Sequence, residues 1–297
     1  MNNIYGLIGI DVKNSLFNAG FDKDPKTDFS GNIIASPYAL QYCLKRQWDL
    51  LGENVLGLKR VQEDGTYLTL EGLFTHLTGI DSKSDYKTLL ENLMTFKDVK
   101  NFGCVYSVKD RSISIKGAVQ FGIGINKFKD SIVYCEDVLS PYASEDGKAN
   151  TTIGNRNLLN EAHYLYDFSI FADEYKNLGI EYTYEDYKDL KDNLLICVSN
   201  YNSKSKKGCK NEFALFIEIN DNKNYLIDLS SLTEYVDVFK DEDDCLIYDL
   251  KELSQLVDNL KTSIKSIEVF YNPRTMKIKN TSDSFKIYDL ITRKALK

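Results

Sequence analysis

The sequence predicts an α+β fold whose strands and helices follow the order βαββαβ, elaborated by inserted segments. Three observations carry this reading. Residues 4–12, IYGLIGIDV, are rich in β-branched side chains and have the character of a buried strand. A helix opens at Ser36-Pro37, with Ser as N-cap and Pro at the first helical position, and closes at Gly52. Residues 249–264 then form an amphipathic helix, with Leu250, Leu253, Leu256, Val257 and Leu260 on one face, followed by the strand-like IEVFY at 267–271. This order is the ferredoxin-like arrangement that RNA-recognition modules also use. The chain of 297 residues is read as one elaborated RRM-like domain, 1–297, with a mainly helical insertion at 53–100 and a second insertion at 135–212.

The elements between these landmarks follow from local pattern. Gly20, Pro25 and Gly31 break the stretch after the first strand. Within 53–100, residues 68–77 and 86–96 have helical spacing. Residues 104–134 alternate as strands, with Gly117, Gly122 and Gly124 marking bulges or close backbone neighbours. Residues 157–166 read as a short helix or the start of a strand, and DFSIFADEY as a strand. Residues 184–198 have helical spacing, 213–220 and 224–229 pair as a hairpin, and a polar tail follows residue 271.

Composition narrows the function. Hydrophobic residues are 43% and charged residues 27%, ordinary values for a globular protein. No apolar run reaches the roughly 18 residues of a membrane span, so no membrane partner is expected. The N-terminus lacks a basic segment before its apolar part and reads as a strand rather than a signal peptide. Six scattered cysteines without a C-x-x-C pair fit a reducing cytoplasm, and with only two histidines no zinc site is expected. No phosphate-binding loop, metalloprotease or serine-hydrolase motif occurs. The glycines around Gln120-Phe121-Gly122-Ile123-Gly124 sit in a strand pattern and lack the helix that a phosphate loop needs. His76 and His163 read as structural, and the acidic runs at 240–244 and 182–193 as solvated faces. Asp11 is the notable lone acid, expected to cap or to pair with a lysine. No catalytic residue, metal or cofactor is assigned.

Charge distribution says more than net charge. The chain holds 37 basic and 44 acidic residues, net -7, yet residues 201–212 contain four lysines and one glutamate. This segment, NYNSKSKKGCKNEF with its flanks, joins the apolar runs LLICV and FALFIEI. Lysines beside small residues bring ammonium and backbone N–H groups to a phosphate chain. On the helix at 38–51, Gln41 and Lys45 share one face, and Tyr42 and Arg46 the next. Basic and planar groups side by side suit phosphate contact with base stacking.

Four segments taken in order resemble one family. They are DVKNSLFNAGFD leading to GNIIASPYAL, then KGAVQFGIGIN at 116–126, then TTIGNRN at 151–157 leading to YLYDFSI, and NYNSKSKKG before an apolar strand. Together they resemble the repeated backbone subunit of type I CRISPR interference complexes (Cascade), closest to the type I-B branch. The resemblance implies a modified RNA-recognition palm with inserted helical fingers and a thumb-like segment within 135–212. It implies copies that polymerise along CRISPR RNA, contact other Cascade subunits, and present the RNA for pairing with target DNA, without catalysis. It places RNA contacts at Lys13, Asn14, Gln120, Asn155, Arg156, Lys204, Lys206 and Lys207, and on the helix face of Gln41, Lys45 and Arg46; Lys210, in the same basic segment, is expected to join them. Lys204, Lys206 and Lys45 are expected to contribute most. The alternative is an RNA-cleaving relative in the same superfamily that uses Asp11 and the histidines.

Overall fold

The computed structural model describes residues 1–108, 111–139, 153–220 and 227–296. The first half runs β1 (Ile4–Ser15), β2 (Ile34–Ala35), α1 (Pro37–Leu50), α2 (Leu70–Thr78), α3 (Tyr86–Leu93) and α4 (Lys97–Phe102). Five strands follow: β3 (Gly103–Val108), β4 (Arg111–Lys116), β5 (Val119–Phe121), β6 (Gly124–Asn126) and β7 (Val133–Leu139). The second half runs β8 (Ile153–Ile170), α5 (Tyr184–Leu194), β9 (Cys209–Ile219), β10 (Asp237–Lys240) and β11 (Leu246–Asp249). It ends with α6 (Lys251–Asn259), β12 (Ile264–Tyr271), β13 (Met276–Lys279) and β14 (Phe285–Asp289). The architecture is mixed α+β, with one large mixed sheet and few helices.

The main sheet is ordered β14-β12-β9-β1-β8-β6-β2, and β5 and β7 also pair with β8. β1 is antiparallel to both neighbours, from Ile4↔Ile170 to Ser15↔Leu159 on one side and from Ile4↔Glu218 to Val12↔Cys209 on the other. Its residues are buried without interruption from Ile4 to Val12. Side chains alternate across a strand, so these residues feed two cores. Ile4, Ile8, Ile10 and Val12 enter the core that holds Leu40, Leu44 and Trp48 of α1 and Leu190 and Leu194 of α5. Tyr5 and Leu7 enter the other, with Leu215 and Ile217 of β9 and Leu253 and Val257 of α6. Each fully buried side chain of this size contributes roughly 1.5–3 kcal/mol.

α1 and α5 lie on one face of the sheet and are joined by Trp48, whose indole N–H donates to Asp189 Oδ2 at 3.0 Å. α5 starts with a reciprocal cap: Asp186 N–H donates to the Thr183 hydroxyl, and the Asp186 carboxylate accepts from the Thr183 backbone. Ser36 occupies the N-cap position of α1, as the Ser-Pro pair predicts, but its side chain makes no capping bond. Its backbone N–H is held by Asn18 Oδ1 at 2.8 Å.

Some expectations are corrected. Residues 157–166 are not helical; they belong to β8, one strand of 18 residues. Their register is set by β1, a tertiary constraint that local periodicity does not contain. The strand at 267–271 is not the last, because β13 and β14 follow it. β14 lies parallel to β12, and β13 joins β10 and β11 in a separate three-stranded sheet. The second strand of the expected 213–229 hairpin lies largely outside the described residues, and 227–229 is not strand. β9 pairs instead with β1 and β12.

Close approach fixes one junction in the fold. A Cβ on Gly208 would stand 2.0 Å from the Lys13 carbonyl oxygen and 2.7 Å from Ser15 Cβ. Gly208→Ala is therefore expected to destabilise the protein by about 1–3 kcal/mol, as overpacking does. Urea denaturation would show a lower midpoint at unchanged slope, and an unaltered midpoint would refute this junction.

Candidate nucleic-acid interface

The lysine segment 201–210 is tied to the end of β1. Lys13 N–H donates to the Gly208 carbonyl at 2.8 Å, and the Ser15 hydroxyl donates to the Ser205 carbonyl at 2.7 Å. Lys206 turns inward. Its ammonium donates to the carbonyls of Phe17 and of Leu16, the latter at 3.5 Å, and sits 4.8 Å from the centre of the Phe17 ring. Burial pulls its pKa below the usual lysine range. Lys206 thus clamps this segment onto the stretch that follows β1. Lys204 and Lys207 point outward and have no ion-pair partner among the described residues.

Lys13 and Asn14 leave the sheet at the same place. Lys13 is half exposed and lies 3.3 Å from Glu161 Oε1. Asn14 has φ of +47°, the left-handed region that Asn tolerates better than most residues, and its side-chain oxygen accepts from the Tyr134 hydroxyl of β7 at 3.0 Å. Lys210 reaches Asp11 Oδ2 at 3.0 Å. Lys13, Asn14, Lys204, Lys206, Lys207 and Lys210 are therefore brought together at one end of the sheet.

The other predicted contacts are placed elsewhere or engaged differently. Lys45 is drawn toward Asp98, 3.8 Å away, whose carboxylate also accepts the N–H groups of Leu56 and Gly57 at 2.9 and 2.7 Å. It buttresses the helical region 53–102. Arg46 pairs with Asp49 at 2.9 Å, one turn along α1, and Arg60 reaches the same carboxylate. Gln41 is half-buried, and its neighbour Tyr42 meets Tyr201 edge to face at 5.8 Å. This contact brings α1 against the start of the lysine segment. Gln120 is exposed on β5, and its amide donates to the Gly117 carbonyl at 2.9 Å. Asn155 and Arg156 lie on the outer half of β8, paired with β7, and Arg156 forms an ion pair with Glu136.

Beneath the lysines lies a buried charged cluster that the sequence did not reveal. Asp11 faces His163 across β1 and β8. The β1–β9 register shifts between Gly9↔Phe213 and Ile10↔Asn211, leaving Glu212 as the extra residue of a bulge. The bulge brings the Glu212 carboxylate 2.8 Å from His163 Nδ1, while Glu161 lies 3.1 Å from Nε2. Asp11 Oδ1 is 3.9 Å from Nδ1 and has no hydrogen-bond partner. Tyr248 of β11 donates to Glu212. Burial alone would lower the His163 pKa, but Glu212, Glu161 and Asp11 outweigh it and push it up to about 10. Burial, and then Glu212, raise that of Asp11, whereas the His163 hydrogen bond lowers that of Glu161. The group is a doubly donating imidazolium held between carboxylates. Asp11, His163 and Glu212 carry metal-ligand atoms within 4.8 Å of one another.

A pH dependence follows. The His163 contribution is fully present below its unfolded pKa, about 6.5, and is lost as pH rises toward the folded value of about 10. The melting temperature is expected to fall between pH 7 and 9.5. Glu212→Gln should lower it at pH 7 by the equivalent of about 3–5 kcal/mol and flatten its pH slope. A variant as steep as the unaltered protein would remove His163 as the cause.

The family model described as CRISPR-associated protein Cas7 matches residues 2–256. A solved chain from a "CRISPR RNA-guided surveillance complex, pre-nicking" superposes with a TM-score of 0.55 at 10% identity, covering 97% of this chain and 96% of that one. A chain from a "CRISPR RNA-guided surveillance complex" gives 0.53 at 11% identity, covering 97% and 95%. Comparison with curated proteins finds no match. At these identities the superpositions establish a shared fold. With the family model spanning most of the sequence, the chain belongs to the CRISPR-associated protein Cas7 family.

Proposed function

We propose that this chain is a non-catalytic CRISPR RNA-binding backbone subunit. Copies polymerise along the RNA of a type I-B interference complex, beside other Cascade subunits, and present it for pairing with target DNA. The observation that carries this reading is the outward pair Lys204 and Lys207 on a segment locked to the end of β1, in a chain of net charge -7. A protein that must hold any guide sequence needs contacts to phosphate and sugar, not to base edges. Two unneutralised ammonium groups on a rigid platform meet that need.

The topology supports the palm reading. Taken in chain order, β1, α1, the β5–β6 pair, β8, α5 and β9 give βαββαβ, with the spatial order β9-β1-β8 followed by β5 and β6. α6 and β12 would then be additions outside that core. Residues 153–158 of β8, paired among the described residues with β7 alone, are the thumb candidate, and 53–102 with α2 to α4 the finger region. The alternative, an RNA-cleaving enzyme using Asp11 and His163, meets an obstacle. His163 is fully buried and both its N–H groups are used by Glu161 and Glu212. Neither group reaches a phosphodiester without opening the sheet end. His76, on α2, is exposed and stands apart from this cluster.

Fluorescence anisotropy with a labelled single-stranded RNA tests the reading. Unaltered protein should bind, and the affinity should weaken steeply with salt. Lys204→Glu with Lys207→Glu should weaken binding at least tenfold while leaving the melting temperature within about 2 °C, as exposed substitutions do. Lys206→Ala should instead cost about 1–3 kcal/mol of stability by stranding the Leu16 and Phe17 carbonyls. RNA binding that is absent, or insensitive to the double substitution, would defeat the proposal.

A further inference from the structure

The buried cluster organises the lysines above it. Lys13 and Lys240 share one carboxylate: Lys13 Nζ lies 3.3 Å from Glu161 Oε1, and Lys240 Nζ lies 2.7 Å from Glu161 Oε2. Glu161 bonds His163, His163 faces Asp11, and Asp11 holds Lys210 at 3.0 Å. Three ammonium groups from β1, β9 and β10 are thereby gathered around one continuous network. Their side chains are 51%, 43% and 25% exposed, so each keeps a face toward solvent.

We infer that Lys13, Lys210 and Lys240 form a single phosphodiester-binding subsite, in which Lys240 of β10 is a backbone contact. The inference rests on the RNA-binding reading above and adds to it a residue from the small second sheet. An ammonium has three N–H donors. Lys13 and Lys210 each use one on a buried carboxylate, leaving two free to meet a phosphate oxygen. Lys240 uses one on Glu161 and one on Asp244, 3.0 Å away. Its ammonium lies over the Phe128 ring, 5.7 Å from the centre, and Phe128 in turn packs edge-on against His163. The ammonium is thus aimed by the ring face as well as by the carboxylates.

Charge balance points the same way. With His163 protonated, the network holds four positive groups against three buried carboxylates, Asp11, Glu161 and Glu212. Among the described residues the remaining positive charge is met by Asp244, whose carboxylate is 82% exposed. Water competes for so exposed a pair, and its attraction is weak. A phosphodiester oxyanion entering between the three lysines would replace Asp244 as the partner of Lys240. Asp244 already has φ of +58°, a conformation Asn accepts, so its charge can be removed without disturbing the turn.

The test uses the whole protein and a labelled 30-nucleotide single-stranded RNA of mixed sequence, with affinity measured from 50 to 300 mM salt. Lys240→Gln should weaken binding about three- to tenfold and lower the salt slope by about 0.7, the value for one contact to a single strand. Lys240→Arg should retain both. Asp244→Asn should tighten binding, and it bears on the proposal even if Lys240→Gln fails to fold. An unchanged slope for Lys240→Gln, or an unaltered affinity for Asp244→Asn, overturns the subsite. If the Lys204/Lys207 double variant still loses affinity in that case, the RNA-binding reading survives. If the unaltered protein binds no RNA, both fall together.

Discussion

The structure depends on β1 being buried on both faces and paired along both edges. β9 shares this constraint, paired with β1 and β12 and feeding the same two cores. An antiparallel partner on each side satisfies the backbone of β1, and two separate cores satisfy its side chains. Gly6 shows how tightly this is drawn, since a Cβ there would stand 2.1 Å from the Leu215 carbonyl oxygen. A strand held this way delivers its last residues to a defined point. Asp11 and Lys13 are placed by the same ladder that places Ile8 and Ile10. The candidate interface is therefore an extension of the core, and its geometry is inherited from β1 pairing.

This explains how an acidic chain can present a basic end. Several lysines near the helices are held by carboxylates. Lys45 is held by Asp98, Lys100 by Asp186 at 2.6 Å, and Lys191 by Glu268 within a ring of Tyr187, Phe216 and Phe270. Lys206 serves carbonyl oxygens. These groups fix segments to each other, and their charge is neutralised locally. Among the lysines that stay outward, Lys204 and Lys207 are the ones carried to the end of the sheet. Screening over roughly 8 Å makes a bound phosphate sensitive to that pair and largely insensitive to distant carboxylates. Net charge was therefore a poor guide, and the number of lysines in a segment was no better. The deciding property is whether an ammonium keeps N–H donors open to solvent after its local partners are served.

Much of the fold was legible because it is written in local chemistry. The β-branched run at 4–12, the Ser36-Pro37 start, and the spacing of Leu253 and Val257 each produce the element expected. Two α2–α3 helices were readable inside 53–100 for the same reason. β8 was ambiguous because Asn157 to Tyr166 has both helical and strand spacing, and only β1 decides between them. β13 and β14 were missed because MKIK and FKIYD are short and charged, and they gain their strand character from Ile247, Tyr248 and Val269 beside them. The lysine segment was found, but not the direction of each side chain. Lys204 and Lys206 are indistinguishable in sequence; the carbonyls of Leu16 and Phe17, nearly 190 positions away, turn one of them inward. Lys240 gave no signal at all, because it opens the acidic run 240–244 and was read with it as solvated surface. The cluster at His163 required a bulge at Glu212 to assemble, and no periodicity announces a bulge.

Glu161 links the stability of the end of the sheet to the strength of its grip. The carboxylate completes the imidazolium of His163 and also orients Lys13 and Lys240. Removing it would free two ammonium groups for an anion, yet it would leave a buried positive charge unsupported. Keeping it means that every phosphate must compete with a carboxylate 2.7 Å from Lys240. The arrangement therefore sets an upper limit on affinity per contact. A subunit that acts as one of several along a strand does not need a tight individual contact, because linked sites raise overall avidity without new contacts. On the proposed reading, a modest, rigid and sequence-blind grip, repeated, would hold the strand while leaving base edges free. Such a grip is what a ring of lysines tethered to a buried cluster supplies, and a flexible basic loop of the same composition would lose more conformational entropy for each contact it made.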